Sequence, residues 1–293
     1  MKRITHPVLT LITSAGISQA ALVLHSSMDN IDVGAGLGTD NTNSGNFNVG
    51  NAVGTDGTAT AVNTGGSVTS GTTGQFGEAI TFSTGTGGDR NVNYGNNFDV
   101  GNSSQTVSLW INSNSSGTGA RFIASKGNVG SGDNGWSIWL EGSSLIMRGE
   151  YTGSDNSTQN LAVSHAFDFD DNVWHHVALV IDNTNGTWTG YLDGDSSADH
   201  ASNGWSIGGG GGESNTFAPG SDFSNTSSLR LGASNSLTAE WAGSADDFGI
   251  WNEALSASQI DEIALNGVAS VPEPSSVALL GLGGLALLLR RRK

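Results

Sequence analysis

One short segment matches a pattern that hydrolytic enzymes use for nucleophilic attack. Gly204 to Gly208 reads GWSIG, which fits G-x-S-x-G with Ser206 as the nucleophile. That motif needs a strand, a sharp turn and then a helix. Five consecutive glycines begin at Gly208, and glycine is a poor helix former. We therefore interpret the segment as a chance match in a glycine-rich chain.

Glycoside hydrolysis is a second chemistry that carboxylates can perform. Retaining enzymes hold two carboxylates about 5–5.5 Å apart, and one strand supplies such a pair through E-x-D-x-E. No Glu of this chain is followed two residues later by Asp, and this includes Glu141, Glu150 and Glu240. We therefore predict that the protein is not an enzyme. A carboxylate pair contributed by separate strands remains an alternative.

Histidine and aspartate side chains occur together in one apolar segment. His175 and His176 are adjacent, so on a strand they face opposite sides and do not bind one metal together. The preceding DFDDN, from Asp168, spaces its oxygens like the start of an EF-hand loop. The Gly and Glu that an EF-hand needs at positions 6 and 12 are absent. The histidines are predicted to be structural and the DFDDN segment to be a solvated turn, with a weak Ca²⁺ contact as the alternative.

A second acidic pair lies near the end of the chain. Asp246 and Asp247 are neighbours on an expected strand, so one of them faces inward. A buried carboxylate needs a partner, and hydrogen bonds from backbone N–H groups or from Arg230 are one way to supply it.

The eight tryptophans divide into two groups by their sequence context. Three lie in the clearest strand patterns and are predicted to be core residues, namely Trp110, Trp174 and Trp251. Aromatic residues near loops or strand ends are candidates for stacking on sugar rings, although packing is the alternative for each. These candidate ligand-binding residues are Trp136, Trp139, Trp188, Tyr191 and Trp205.

The elements that must position these residues read as strands. In TVSLWIN, Val107, Leu109 and Ile111 alternate with Ser108 and Trp110, as in a strand with two different faces. Similar short runs recur between turn clusters, which predicts an all-β, two-sheet antiparallel sandwich. Residues 34–74 are rich in Gly, Asn and Thr, and we expect a long loop there with at most weak edge strands.

One helix is predicted near the C-terminus. Ser256 and Gln259 form a capping box, Ile260 and Ile263 form an apolar stripe, and Gly267 stands at the C-terminal cap.

Charge and cysteine content restrict the partners. Residues 21–271 hold 26 acidic side chains against five basic ones, a formal charge of −21. Such a field repels phosphate, so no nucleic-acid partner is expected. Because the chain has no cysteine, zinc–thiolate sites and cysteine catalysis are excluded.

Several segments taken in order resemble the laminin-G-like, concanavalin A-type jelly roll. They are GQFGEAITF, FDVGNSSQTVSLWIN, FIASKG, DDNVWHHVALVID, GYLDGD, LRLGAS and WAGSADDFGIWNEALSASQI. The resemblance implies a jelly-roll domain over residues 21–267. It also implies a structural Ca²⁺ between the first and last strands, held by Asp29 with Asp246 or Asp247. The ligand expected from the fold and the aromatics is a polysaccharide.

Both ends of the chain look like processing signals. Lys2 and Arg3, an apolar stretch and the small residues before Ala20 predict a signal peptide over residues 1–20. Residues 268–293 resemble the PEP-CTERM sorting signal. They contain Pro272, Glu273 and Pro274, a short apolar segment at 277–289, and the basic cluster Arg290, Arg291, Arg292 and Lys293.

The sorting resemblance implies a transient helical anchor in the inner membrane and cleavage by an exosortase-type transpeptidase. An uncleaved tail anchor is the alternative. Together these features predict a non-catalytic protein that is exported to the cell surface or extracellular matrix and binds exopolysaccharide. Two alternatives remain, which are an adhesion protein with a protein partner and a divergent glycan-active enzyme.

Overall fold

The computed structural model describes residues 22–29, 45–48, 58–63, 68–83, 90–113, 117–129, 132–153, 157–199, 202–208, 214–237 and 239–271. The predicted signal peptide up to Ala20 lies outside the described residues. So does the sorting segment from Pro272 onward, with its apolar run and basic cluster. Within the described ranges, no helix is long and apolar enough to cross a membrane.

Seventeen strands, numbered in chain order, form two sheets in the described part of the chain. Sheet A contains eight strands: β1 (Leu22–Ser26), β4 (Val68–Thr73), β5 (Glu78–Phe82), β7 (Gln105–Ser113), β12 (Trp174–Asp182), β13 (Thr187–Leu192), β14 (Asp195–Ser196) and β17 (Gly243–Trp251). Its order is β14-β13-β12-β7-β17-β5-β4, and β1 also pairs with β17.

Sheet B contains the other nine strands: β2 (Gly45–Asn48), β3 (Thr58–Asn63), β6 (Arg90–Asn93), β8 (Ala120–Lys126), β9 (Gly135–Glu141), β10 (Ser144–Thr152), β11 (Thr158–Ala166), β15 (Trp205–Ile207) and β16 (Leu229–Leu231). Its order is β15-β11-β10-β9-β8-β16-β6-β3-β2. All pairs between the described strands are antiparallel, which confirms the predicted all-β sandwich.

Alternation along the strands places one face of each sheet in a common core. On β7, Val107, Leu109 and Ile111 are fully buried in the main cluster, as the sequence predicts. Sheet B contributes Ile138 and Leu140 from β9 to the same cluster. Since these inner residues come from both sheets, they join the two layers.

A second apolar cluster lies on the outer face of sheet A, beneath the helix α1 (Ala257–Asn266). The helix begins after Ser256, whose backbone N–H donates to Gln259 Oε1 at 2.9 Å, and Gly267 ends it with φ 84°. Ile260 and Ile263 point from the helix onto Trp251 of the sheet. Two short 3₁₀ turns, Ser197–Asp199 and Val268–Ser270, complete the described elements.

The Gly, Asn and Thr-rich stretch 34–74 differs from the expected long loop. It contains β2, β3 and β4, and two of these occupy sheet edges, β2 in sheet B and β4 in sheet A. The Thr and Val residues of β3 and β4 favour extended backbone, and an edge strand needs only one pairing partner. Of the two parts of that expectation, the weak edge strands agree with the structure, whereas an uninterrupted long loop does not.

Candidate functional site

The five aromatic residues predicted to bind sugar are all buried. Trp136 and Trp188 are fully inaccessible, and Trp139, Tyr191 and Trp205 are between 3% and 6% exposed. The packing alternative therefore describes the position of all five rings. No ring of this set offers an open face to a ligand.

Glycines within the strands make room for two of these rings. A Cβ on Gly149 would lie 2.5 Å from the Trp188 ring, and one on Gly190 would lie 2.8 Å from the Trp205 ring. The Trp188 indole N–H donates to Met147 O at 3.2 Å, so its polar group is satisfied inside the protein. A glycine in the middle of a strand often marks a site where another group approaches closely. Gly149 and Gly190 are such glycines, and both are visible in the sequence.

Trp174, which the sequence places in the core, is the exception among the tryptophans. All eight lie in the described ranges, and the other seven are at most 8% exposed, whereas Trp174 is half-buried. It begins β12 and stands directly opposite Asn112 of β7. The preceding residue, Val173, is 51% exposed.

Trp174 starts a row of neutral side chains that crosses the outer face of sheet A. The register places Trp174 opposite Asn112, Asn112 opposite Ser244, and Ser244 opposite Thr81. Thr72 of β4 extends the line, since its Oγ1 lies 2.7 Å from Thr81 Oγ1. We call these five residues the polar row.

A cavity of about 250 Å³ opens in the middle of the polar row. Asn112, Ser244 and Thr81 line it together with Ser83 and Gly243. Row residues thus face both an open surface and a concave site, and none of them is charged.

The acidic residues predicted to hold Ca²⁺ separate into two groups. Asp247 is fully engaged, because its Oδ1 lies 2.7 Å from His25 Nε2 and its Oδ2 accepts the Val268 N–H at 2.6 Å. Asp29 and Asp246 instead reach one tight turn, where they accept the N–H groups of Glu78 and Phe76, each at 2.8 Å.

Asp246 carries the feature that fits a cation. The side chain is fully buried, and its Oδ1 accepts no hydrogen bond from the described residues. Burial raises the pKa of this carboxyl to about 7, and the charge of Asp247 adds to the rise. Two carboxylates at one turn fit the oxygen ligands that Ca²⁺ prefers. No group of three or more His, Asp or Glu gathers within the described ranges.

Among the described residues, a hydroxyl paired with a histidine occurs once, in a buried position. Ser108 Oγ lies 2.8 Å from His176 Nε2, and both side chains are fully inaccessible. Burial lowers the pKa of His176 to about 4, so the ring is neutral. This pair lies on the same face as the polar row but admits no substrate, and its role is structural.

The other residues considered for chemistry also take structural positions. Ser206 lies in the middle of β15, opposite Ser164 on β11. His175 faces the side opposite to His176, with Nδ1 2.7 Å from Asp193 Oδ2. Asp171 Oδ1 accepts the Val173 N–H at 2.9 Å in the turn before β12, as the solvated-turn interpretation predicts.

Comparisons with known proteins agree with this architecture. A family profile described as the concanavalin A-like lectin/glucanases superfamily matches residues 84–261, and the PEP-CTERM protein-sorting motif matches residues 270–293. No protein of curated function matches the sequence.

Solved structures are similar in fold at low sequence identity. The binding domain of Paraclostridial Mosquitocidal Protein 1 is 16% identical with a TM-score of 0.50, and the match covers 83% of this chain and 51% of that one. The chain thus spans about half the length of that structure. Domain 4 of AbnA, a GH43 extracellular arabinanase from Geobacillus stearothermophilus solved with arabinotriose, is 20% identical, with a TM-score of 0.48 and coverage of 84% and 99%. A SAP-like pentraxin from Limulus polyphemus is 16% identical, with a TM-score of 0.43 and coverage of 67% and 88%.

The family profile covers more than half of the chain, and the two-sheet sandwich is the fold that the profile describes. The chain therefore belongs to the concanavalin A-like lectin/glucanase superfamily and ends in a PEP-CTERM sorting motif.

Proposed function

We propose that this protein is exported, sorted to the cell envelope and binds a glycan there without catalysis. The observation that carries the binding proposal is Trp174, the one tryptophan that is only partly buried, at the end of a row of hydroxyl and amide side chains. A sugar ring has apolar C–H faces and a rim of hydroxyl groups. The indole of Trp174 can pack against the apolar face, and the neighbouring hydroxyl and amide groups can form hydrogen bonds with the sugar hydroxyls. Membership of a lectin and glucanase superfamily supports the same function.

A binding role fits the chemistry of the described residues better than a catalytic one. The single Ser–His pair is sealed in the interior, and the polar row contains no carboxylate. Binding needs only complementary surface, whereas hydrolysis needs an accessible acid and base.

Sorting is proposed from the motif at residues 270–293. We propose that the signal peptide is removed after Ala20 and that an exosortase-type transpeptidase cuts near Pro272–Pro274. Until that cleavage, residues 277–289 would anchor the chain transiently in the inner membrane. Intact mass of the protein recovered from the envelope of its own host tests this step. A mass that retains the residues beyond Pro274 would contradict it.

We also propose a structural Ca²⁺ at the turn that Asp29 and Asp246 share. The unpartnered buried oxygen of Asp246 supports it. The ion would tie the first strand to the last one, and it takes no part in binding of the glycan.

The binding proposal is tested with the exported protein and a panel of polysaccharides that includes the exopolysaccharide of the producing cell. We expect the wild-type protein to bind at least one glycan and Trp174→Ala to lose that binding. Ile207→Ala is the matched control, because Ile207 is 41% exposed on sheet B, away from the row. Two results would refute the proposal: a wild-type protein that binds only a protein partner, or turnover of the polysaccharide that a single carboxylate substitution abolishes.

A further inference from the structure

We infer that the polar row is the binding site and that its ligand is a neutral, linear glycan laid across the strands of sheet A. This inference rests on the proposed glycan-binding function and adds the place, the direction and the chemical class of the ligand. Three features of the molecule support it. They are the hydrogen-bonded hydroxyl groups of Thr72, Thr81 and Ser244, the length of the row, and the pairing of every Lys and Arg side chain in residues 21–271 with oxygen atoms of the protein itself.

The hydroxyl chain presents acceptors to a ligand. Thr81 Oγ1 lies 2.7 Å from Thr72 Oγ1 and 2.8 Å from Ser244 Oγ, and Thr72 Oγ1 donates to Ala79 O at 3.4 Å. Each hydroxyl has one proton and two lone pairs. The three protons are therefore used within the protein, and lone pairs are left over. A ligand rich in O–H donors complements this arrangement.

Asn112 has the same character at the next strand. Its Nδ2 donates to Asn172 O at 3.0 Å, and its Oδ1 accepts no hydrogen bond from the described residues. The row thus offers acceptor oxygens from four successive strands, and the indole of Trp174 stands at its end.

The length of the row suits a chain ligand. Five neighbouring strands, each about 4.8 Å from the next, span about 19 Å. The cavity of about 250 Å³ lies in the middle of that span. A single sugar ring would occupy only part of the row, so a linear oligosaccharide fits it better than a monosaccharide.

The positive side chains decide the charge of the ligand. Residues 21–271 contain five Lys and Arg, and all of them lie in the described ranges. Each binds the protein's own oxygen atoms: Arg90 to Glu240, Arg121 to Asp170, Lys126 to Asp99, Arg148 to Glu150 and Arg230 to Asn91. An anionic polysaccharide would meet a field of excess carboxylates and no available cation. The row itself contains no charged side chain to pair with a cationic ligand, so we infer that the ligand is neutral.

The experiment titrates the full exported protein with three soluble probes of increasing length, at low and at high salt. The neutral probes are xylo-oligosaccharides and gluco-oligosaccharides, and the acidic probe is a series of oligogalacturonides. We expect at least one neutral series to bind, with affinity that rises until the chain spans the row and then levels off. Salt should change this affinity little, since no charge is neutralised on binding.

Variants locate the site. Ser244→Ala and Thr81→Val each remove one hydroxyl, and each should weaken binding about threefold to tenfold. Asn112→Asp keeps the size of the side chain and adds a negative charge next to the ligand oxygens. Ser206→Ala removes an exposed hydroxyl from sheet B and should leave the affinity unchanged. Thermal unfolding of each variant shows whether the fold is intact.

The outcomes separate this inference from the proposed function. If a neutral glycan binds and row variants lose affinity while Ser206→Ala does not, both are supported. If Trp174→Ala loses glycan binding but Ser244→Ala and Thr81→Val do not weaken it, or if oligogalacturonides bind more tightly than neutral chains, the inference is overturned and the glycan-binding function stands. If no glycan in either panel binds, the proposed function itself is overturned.

Discussion

The outer face of sheet A consists of two halves with opposite character. In one half, Ala178 and Val180 of β12 and Trp251 of β17 are buried beneath helix α1. In the other half, the same two strands present Trp174 and Ser244 in a neutral row that remains accessible. The two halves of this face differ in whether helix α1 covers them.

The boundary between the halves contains buried polar groups. His176 and Asp246 stand on either side of Trp110 in the register, and each has a side-chain atom without a hydrogen-bond partner among the described residues. Such atoms cost free energy unless water or an ion satisfies them. The boundary is therefore where a bound ion would contribute most to stability.

The largest contrast is expected between two tryptophans on this face. Trp251→Ala should lower the free energy of unfolding by about 3–5 kcal/mol, because it empties a fully packed site. Trp174→Ala should lower it less, by about 1–2 kcal/mol, because this ring is only partly buried. Urea unfolding of both variants measures this difference. Equal losses would mean that Trp174 also belongs to the core.

The second contrast is between two faces of helix α1. Ile260→Ala should cost about 2–5 kcal/mol, because this side chain is fully buried in the outer cluster. Leu265→Ala is the matched control, since Leu265 is 74% exposed and should change stability by less than about 0.5 kcal/mol. Glycan affinity should be the same in both folded variants. A loss of affinity in Ile260→Ala alone would show that the two halves are coupled.

The third prediction concerns the effect of Ca²⁺ on stability at the boundary, where Asp246 lies. Free Ca²⁺ at about 100 times its dissociation constant should add about 2.7 kcal/mol to the stability of the folded protein. Asp246→Asn should abolish this gain, because it removes the buried anionic ligand. Differential scanning calorimetry with Ca²⁺ and with a chelator measures it. Asp261→Asn, on the exposed side of α1, is the control that should retain the full gain.

The sandwich itself could be predicted because its signals are local. Val107, Leu109 and Ile111 alternate with polar neighbours, and Ser256 with Gln259 marks the start of the helix within four residues. Each of these features depends on a short stretch of chain, so the sequence shows it directly.

The site could not be predicted in the same way, because exposure on the outer face depends on a distant element. Trp174 and Val180 lie on the same face of β12, and only the position of α1 about 80 residues later decides that Val180 is covered and Trp174 is not. Alternation gives the face of a side chain but not what covers that face. In the sequence, only the mid-strand glycines Gly149 and Gly190 indicate that other groups, here the rings of Trp188 and Trp205, pack closely against the strands.

The smallest expected effect is a pH dependence at the start of β12, next to the open half. Burial disfavours the charged form of His175, but hydrogen bonds and the charges of Asp193 and Asp171 outweigh it and raise the pKa of the ring above 6.5. Because the folded pKa lies above the unfolded one, this contribution is fully present below about pH 6.5 and is lost as the pH rises through the folded value. Its size is about 0.2–1 kcal/mol, since the side chains of Asp171 and Asp193 are 36% and 43% exposed.

Comparison of His175→Gln with the wild type tests this effect. The stability difference between them should be larger at about pH 5.5 than at about pH 8.5, because only the protonated ring is held by both carboxylates. Asp171→Asn should reduce the same pH dependence, while the Trp251 half of the sheet stays unchanged. A difference that is constant over this range would mean that the ring contributes by packing against Phe167 and Phe169 and not by its charge. In that case the half of the outer face that contains Trp174 would be stabilised by apolar packing, as is the half that lies beneath helix α1.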